Sequence, residues 1–315
     1  MVPYILINIL QALVLLVFSP LIVGIMAYVT ERLQFRRGPS ILQPYRNIRK
    51  WFSKNEIASE QVSWVFRTAP YVAFVAPIFV SLLIPVLTNY PLYFAFMADM
   101  VGAGFVFALG SFFTTCSAVD GGNPYGAIGA SRTRMVSFLA EPVFIVVFFS
   151  ISFIAGSTIP YIVQEQWTTF HAFVGPSHIL ILVAFFMLIL AETGHLPVDN
   201  PQGHFELAMI DESKYLEYSG VKLALLSWGG SMKLVVLLIV FSNVLITPIG
   251  LASSTAPLAV AFAIPATLVK VLLCSMGIVV CDVSLSKLRL FRITEFLAAA
   301  LSVAIVGVIV QLWSV

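Results

Sequence analysis

The sequence predicts an all-α polytopic membrane bundle of about eight spans, and three observations carry the prediction. Hydrophobic residues fill 60% of the 315 positions. Charged residues fill only 10%, against about 25% in an average soluble domain. Apolar runs of roughly 20 residues, long enough to cross a bilayer as helix, recur along the chain. No long soluble region, Gly/Ser linker, low-complexity tract or repeat separates them, so residues 1–315 read as a single integral membrane domain.

The first span is placed at 4–30. It lacks a basic flank before it and a small-x-small pattern after it, so it reads as an uncleaved span. Spans two to eight follow at 69–88, 92–116, 135–156, 177–196, 221–245, 256–281 and 293–314. Orientation comes from the cations, because Lys and Arg are retained on the cytoplasmic side. Arg32, Arg36, Arg37, Arg46, Arg49, Lys50, Lys54 and Arg67 fall between spans one and two. Arg132 and Arg134 fall between three and four, Lys214 between five and six, and Lys287, Arg289 and Arg292 between seven and eight. The other connections and both termini carry none. The N-terminus is therefore outside in this reading, with cytoplasmic loops at about 31–68, 117–134, 197–220 and 282–292.

Composition also excludes functions. The net charge of +2 averages a basic first loop against an acidic third one, and neither resembles a nucleic-acid surface. The basic loop faces anionic lipid heads in the simplest reading. Cys116, Cys274 and Cys281 lie in or beside apolar spans, without a C-x-x-C or a Cys/His cluster of metal-binding spacing. Four histidines, His171 and His178 before or at span five and His195 and His204 in the acidic loop, offer no pair from two spans for haem. No metal or cofactor is expected on this chain. The glycine-rich "GGNPYGAIGAS" (Gly121 to Ser131) follows a span rather than a strand and has no Lys after its glycines. It reads as a tight loop packed on other cytoplasmic segments.

Several charges stand where a membrane helix should have none. Ionised groups at a helix centre cost about 2.5–3.5 kcal/mol each on the insertion scale, so they persist where they are paired or used. Glu141 lies part-way into span four, before Pro142; Glu192 closes span five; Lys233 lies about three turns into span six; Lys270 is in the second half of span seven and Asp282 marks its end. Two readings stay open: buried ion pairs, such as Glu141 or Glu192 with Lys233, or a proton path. Desolvation and neighbouring charge can bring either group's pKa toward neutrality.

The stretch "AETGHLPVDNPQGHFELAMIDESKYLEYSG" holds six of the chain's fifteen acids. Pro197 and Pro201 interrupt any continuation of span five, and Asp199–Asn200 favours a turn. From Glu206 onward the spacing of Glu206, Met209, Ile210, Lys214 and Glu217 predicts a short helix, with Lys214 pairing to Glu217 at i,i+3. With Glu212 between them, the segment reads equally as a solvated acidic loop or as a relay.

These residues resemble the membrane-anchor family shared by respiratory complex I, the NADH:quinone oxidoreductase (its subunit 1), and the group 4 energy-converting nickel–iron hydrogenases. "QFRRGPSILQPYRNIRKWF" is similar to the family's Q-x-R-x-G-P followed by L-Q-P, at Gln34, Arg36, Arg37, Gly38, Pro39, Gln43 and Pro44. The acidic loop carries A-E, P-x-D, E-L and, at Glu217 to Gly220, E-Y-S-G. "SEQVSWVFRTAPYV", "GAIGASR", "LAEP", "KLRLFR" and Lys233 resemble the branch of formate hydrogenlyase subunit 4 and hydrogenase-4 component C.

The resemblance implies a multi-pass subunit of a prokaryotic cytoplasmic membrane, without a redox centre of its own. It would dock the large and small subunits of a peripheral electron-transfer arm, which hold iron–sulfur clusters and in some relatives nickel and iron, and would join antiporter-like membrane subunits. The first-loop motif would meet the arm. Glu141, Glu192, Asp199, Glu206 and Glu217 match carboxylates of the coupling region, Lys233 matches the hydrogenase branch, and Glu212, Lys270 and Asp282 join them on chemistry and looser similarity. Asn47 stands where an acid is common, Gly230 where the respiratory branch has another, and His204 where a Glu is common. Asn47 speaks against a respiratory-type quinone pocket; His204 retains a titratable group. The leading expectation is a coupling subunit of a hydrogenase-type complex. The alternatives are a quinone-chamber subunit of a respiratory NADH:quinone oxidoreductase and a stand-alone secondary transporter.

Overall fold

A computed structural model describes residues 2–59, 61–166, 175–199, 210–247 and 249–314. The helices are α1 (Val2–Leu33), α2 (Gln43–Phe52), α3 (Trp64–Leu83), α4 (Met100–Asp120), α5 (Pro124–Ala155), α6 (Pro160–Gln166), α7 (Pro176–Glu192), α8 (Gly220–Ile239), α9 (Pro257–Ser284) and α10 (Leu290–Ser314). A π-helical turn, Val240–Ile246, prolongs α8. Among the described residues seven helices are long and apolar enough to cross a membrane; α7, with 17 residues, is the shorter apolar eighth. The chain is a multi-pass, all-α membrane bundle.

Local chemistry sets the starts of these helices. Ser63 Oγ accepts from Val65 N at 3.1 Å, the Asp99 carboxylate from Val101 N and Gly102 N at 3.2 and 3.3 Å, and Asn123 Oδ1 from Tyr125 N at 2.9 Å. Each satisfies amides that the helix leaves without an internal partner. Pro124, Pro176 and Pro257 occupy first helical positions, where a missing N–H costs nothing. Gly156 ends α5 in the left-handed region at φ +68°.

Helix α8 is the hub. It packs on α1, α2, α3 and α9 and touches α7, while α10 lies against α5 and α7, and α4 bridges α3 and α5. Nearly all of its second half is buried, so it is apolar all round apart from its lysines. Gly229 allows the closest approach: a Cβ there would lie 2.8 Å from the Ala73 carbonyl oxygen of α3.

Four sequence expectations are corrected. Span three was read from residue 92, but a 3₁₀ turn occupies Tyr93–Met97 and α4 starts only after the Asp99 cap. The glycine-rich stretch is loop only as far as Asn123, because Pro124 opens α5 and helix runs on through Gly126 and Gly129. Those glycines serve packing: a Cβ on Gly129 would overlap Ser213, so the segment does meet the acidic segment. The helix from Glu206 is partly outside the described residues, as are His171 and His204; over Glu212–Tyr215 it is a 3₁₀ turn. Finally, the first loop contains α2, whose Pro44 start and apolar Tyr45, Ile48, Trp51 and Phe52 at helical spacing were its signal.

Candidate functional site

A cavity of about 630 Å³ opens at the end of the bundle where α7 stops and α8 begins. Its walls come from α1, α2, α3, α4, α5, α7, α8 and the acidic segment. Glu192, Asp199, Asp211, Glu212, Lys214 and Lys233 line it, with Ser111, Thr114, Thr133 and Ser137 between them. A second cavity, of about 60 Å³, lies between α4 and α5 and is lined by Glu141, Ser111 and Ser137. Glu192 borders both.

Ending α7 at Glu192 puts its carboxylate at the cavity, and α8 brings Lys233 to it from the other side. Nζ of Lys233 donates to Glu192 Oε2 at 2.6 Å, with side chains 21% and 15% exposed. Of the two partners the sequence offered Lys233, Glu141 and Glu192, this is the second. Glu141 does not join it: it lies on the exposed outer surface of α5, and α5 continues through Pro142 without a break. Gly230 faces the large cavity with nothing within 4 Å of an added Cβ, so the space for an acid is present without the acid.

The acidic segment is tied down by its own charges. Asp199 is 3% exposed; its Oδ2 accepts from Ile210 N and Asp211 N at 2.9 and 3.0 Å, and Oδ1 takes Lys287 Nζ at 2.7 Å. One carboxylate thus clamps residues 199 and 210 together and holds both to the connection after α9. His195 Nδ1 lies 2.8 Å from Asp282 Oδ2, and Leu196 N donates to Oδ1 at 3.0 Å. Asp199 and Asp282 therefore act as anchors. Lys214 pairs with Asp211 at 2.7 Å, not with Glu217, because the 3₁₀ turn brings position 211 rather than 217 beneath the amine. Glu217 instead accepts from Asn123 Nδ2 at 2.6 Å.

Electrostatics divides two adjacent acids. Burial raises the Asp211 carboxyl, but the charge and hydrogen bond of Lys214, with Lys233 beyond, outweigh it and hold Asp211 below its ordinary range. Glu212 moves the other way: burial, then the charges of Asp199 and Asp211, raise it. Burial also raises Tyr215 and Tyr218.

The E-Y-S-G motif gains a structural meaning. Tyr218 stacks on Phe66 at 4.1 Å and donates to its carbonyl at 2.9 Å. Ser219 Oγ accepts from Ile57 N at 2.8 Å and donates to Ile57 O at 2.9 Å. Gly220, at φ +56°, lets the chain pass where a Cβ would lie 2.9 Å from the Lys54 carbonyl oxygen, and Lys222 pairs with Glu56. The acidic segment is thus fastened to the end of the first loop.

The first-loop motif lies on the surface at the same end. Gly38 packs against Tyr28 and Glu31, while Arg36, Arg37 and Pro39 are exposed and Gln34 is half-buried. Phe35, at φ +58°, is 99% exposed. Gln43 Nε2 donates to Asn47 Oδ1 at 3.0 Å within α2, which Pro44 opens. Lys270 stands apart from all of this, with Nζ 3.1 Å from the Thr247 carbonyl oxygen. Glu206 and His204 lie outside the described residues. Sequence reasoning left Asp211 out of the candidate set, although its place three residues before Lys214 was a usable signal. The roles of Lys287, Glu56 and Asp120, the last accepting from Ser63 N and Oγ at 2.8 Å, had no sequence signal, since their partners are remote in the chain.

Comparison with known proteins gives the kinship. Formate hydrogenlyase subunit 4 of Escherichia coli (strain K12) is 33% identical over 283 residues, 89% of this chain and 90% of that protein. Hydrogenase-4 component C of the same strain is 34% identical over 265 residues, covering 84% and 82%. A subunit of the NADH-quinone oxidoreductase of Rubrobacter xylanophilus is 27% identical over 212 residues, covering 63% and 61%. The fold is shared with a chain of the membrane-bound sulfane sulfur reductase, an archaeal respiratory membrane complex: TM-score 0.79, 20% identity, and 96% and 98% of the two chains covered. The model of the NADH dehydrogenase family matches residues 5–312, and the chain belongs to that family.

Proposed function

We propose that this chain is the membrane-anchor and energy-coupling subunit of a hydrogenase-type, complex I-like oxidoreductase in a prokaryotic cytoplasmic membrane. One observation carries the reading: Glu192 borders both cavities and holds Lys233, so a change of charge in the acidic segment is felt at a carboxylate–amine pair inside the bundle. The exposed first-loop motif supports a peripheral arm as partner, and Glu141 on the outer surface of α5 supports a neighbouring ion-translocating subunit. Redox centres, iron–sulfur clusters and in some complexes nickel and iron, belong to the arm in this proposal. Redox events there shift charge near Glu212 and Asp211, and the Glu192–Lys233 pair passes protonation toward Glu141. Substituting Glu192→Gln or Glu141→Gln in the assembled complex leaves dye-linked redox activity of the arm intact and removes ion pumping. Full pumping in both variants overturns the proposal.

A second reading, a quinone chamber, is favoured by Val23 of α1 and Trp51 of α2 in the cavity wall. Asn47 and Gly230 oppose it. Quinone turnover sensitive to a chamber inhibitor would establish it, and its absence would dismiss it.

A further inference from the structure

Lys270 lies among polar, buried residues apart from the acidic segment. It is the fourteenth residue of α9 and, among the described residues, forms no ion pair. An ammonium carries three donors, and one is used, on the Thr247 carbonyl oxygen.

Thr247 follows the π turn at the end of α8, where the chain leaves helix. A second break lies beside it. Helix α3 stops at Leu83, and residues 84–89 continue without helix, with Ile84, Val86, Leu87 and Thr88 each at most 2% exposed. The two breaks are joined: Ala252 N donates to Leu87 O at 2.8 Å and Asn89 N to Ala252 O at 3.1 Å. Non-helical backbone at membrane depth is tolerated where protein buries it or where it lines water. Both helix C-termini carry partial negative charge, which favours a cation.

The side chains at this junction are polar as well. Asn243 Nδ2 donates to Pro85 O and Val86 O at 3.1 and 3.0 Å, and Thr267 Oγ1, one turn before Lys270, donates to the same Val86 O at 3.1 Å. Asn243 is wholly buried, and its Oδ1 has no protein partner among the described residues. Helix α1, which packs on α9, adds Asn8 and Gln11, at 1% and 0% exposure, with neither amide partnered among the described residues. Tyr4, one turn before Asn8, meets Tyr90 edge-on at 6.0 Å, placing the start of α1 at the α3 break. Buried amides without protein partners are costly in an apolar setting, and water is what meets such groups.

We propose that Lys270 is a second proton-exchange site, reached by water from the side opposite the acidic segment and separate from the Glu192–Lys233 pair. The N–H bond of the ammonium breaks, its proton passes to water and the electron pair stays on Nζ; the return step reverses this. The Thr247 carbonyl oxygen, just past the end of α8, holds the charged form. Cys274, one turn along α9, is the titratable side chain next to Lys270 on its own helix, and His178 of α7 meets the Leu245 backbone at the end of α8. The α8 lysines, Lys222 and Lys233, sit on the first half and middle of that helix, while α1 brings Tyr4 to the same end as the junction.

The test uses the assembled complex in membrane vesicles of both orientations, with Cys116→Ser and Cys281→Ser leaving Cys274, and in a second variant Thr247→Cys with Cys274→Ser. A charged, membrane-impermeant thiosulfonate is added and this chain is mapped by mass spectrometry. The expected result is labelling at least about tenfold faster from the side opposite the acidic segment, because thiosulfonates need water and thiolate. Labelling of both positions by an apolar maleimide alone overturns the proposal. Lys270→Met is expected to lose ion pumping that Lys270→Arg partly keeps; unchanged pumping in Lys270→Met overturns it also. Labelling reads water access, so it can fail while the Glu192–Lys233 assignment stands, and the reverse.

Discussion

Two of the lysines within the helix bundle, Lys233 and Lys270, are satisfied in opposite ways. Lys233 meets a carboxylate at 2.6 Å beside a cavity rich in acids; Lys270 meets a backbone carbonyl at 3.1 Å where α8 ends. The first arrangement couples charges, so that moving one proton changes the neighbour's preference. The second holds one charge by dipoles that never titrate. A relay needs the first kind of site, where signals are passed; a terminal exchange site is served by the second.

The largest expected effect separates the two lysines by stability. Lys233→Met leaves Glu192 with its charge uncompensated, and losing one partner of a buried pair costs about 3–5 kcal/mol. Partial exposure puts this pair at the low end of that range, and the double variant Glu192→Gln/Lys233→Met is expected to recover most of the loss. Lys270→Met strands no carboxylate and is expected to leave thermal stability near that of the parent. Melting of the purified complex measures all three; equal losses at both lysines would erase the comparison.

Next in size is Asp199→Asn. The Lys287 ion pair goes, and the clamp on the amides of Ile210 and Asp211 weakens. Hydrogen bonds to a charged acceptor contribute about 1.5–3 kcal/mol. The expected outcome is faster amide exchange at Ile210 and Asp211, with exchange around Thr247 unchanged.

Ser219→Ala is smaller, at about 1 kcal/mol, because its hydroxyl both accepts from and donates to one exposed residue, Ile57. It is expected to loosen residues 54–57 and to slow the coupling of redox activity to pumping while leaving helix α8 intact.

What the sequence made legible follows from how far each signal reaches. Apolar run length placed the spans, and the positions of Glu141, Glu192 and Lys233 in neighbouring runs narrowed the partner of Lys233 to two acids without choosing between them. The anchors were not readable, since Lys287 reaches Asp199 across 88 positions and Glu56 reaches Lys222 from another loop. The boundary of α4 was missed because Tyr93–Met97 is as apolar as a span, and only the Asp99 cap resets the helix. The π turn was invisible for the same reason: Val240–Ile246 has the composition of ordinary membrane helix.

The smallest expected effect has the clearest sign, because two adjacent acids must respond to pH in opposite directions. Glu212 is raised by burial and by the charges of Asp199 and Asp211, so the fold prefers its protonated form. Its cost is therefore absent below the ordinary glutamate value of about 4.3 and grows as pH rises through the raised one. Asp211 is lowered on balance by Lys214, so its contribution is present above the ordinary aspartate value of about 3.9 and is lost as pH falls through the depressed one. Glu212→Gln is accordingly expected to melt above the parent at pH 7, with the gap closing near pH 4. Asp211→Asn is expected to melt below the parent at pH 7, with its gap closing only at still lower pH. Parallel shifts in the two variants would mean that the acidic segment behaves as one solvated patch; opposite shifts mean that Lys214 and Lys233 hold Asp211 low while burial and the charges of Asp199 and Asp211 hold Glu212 high.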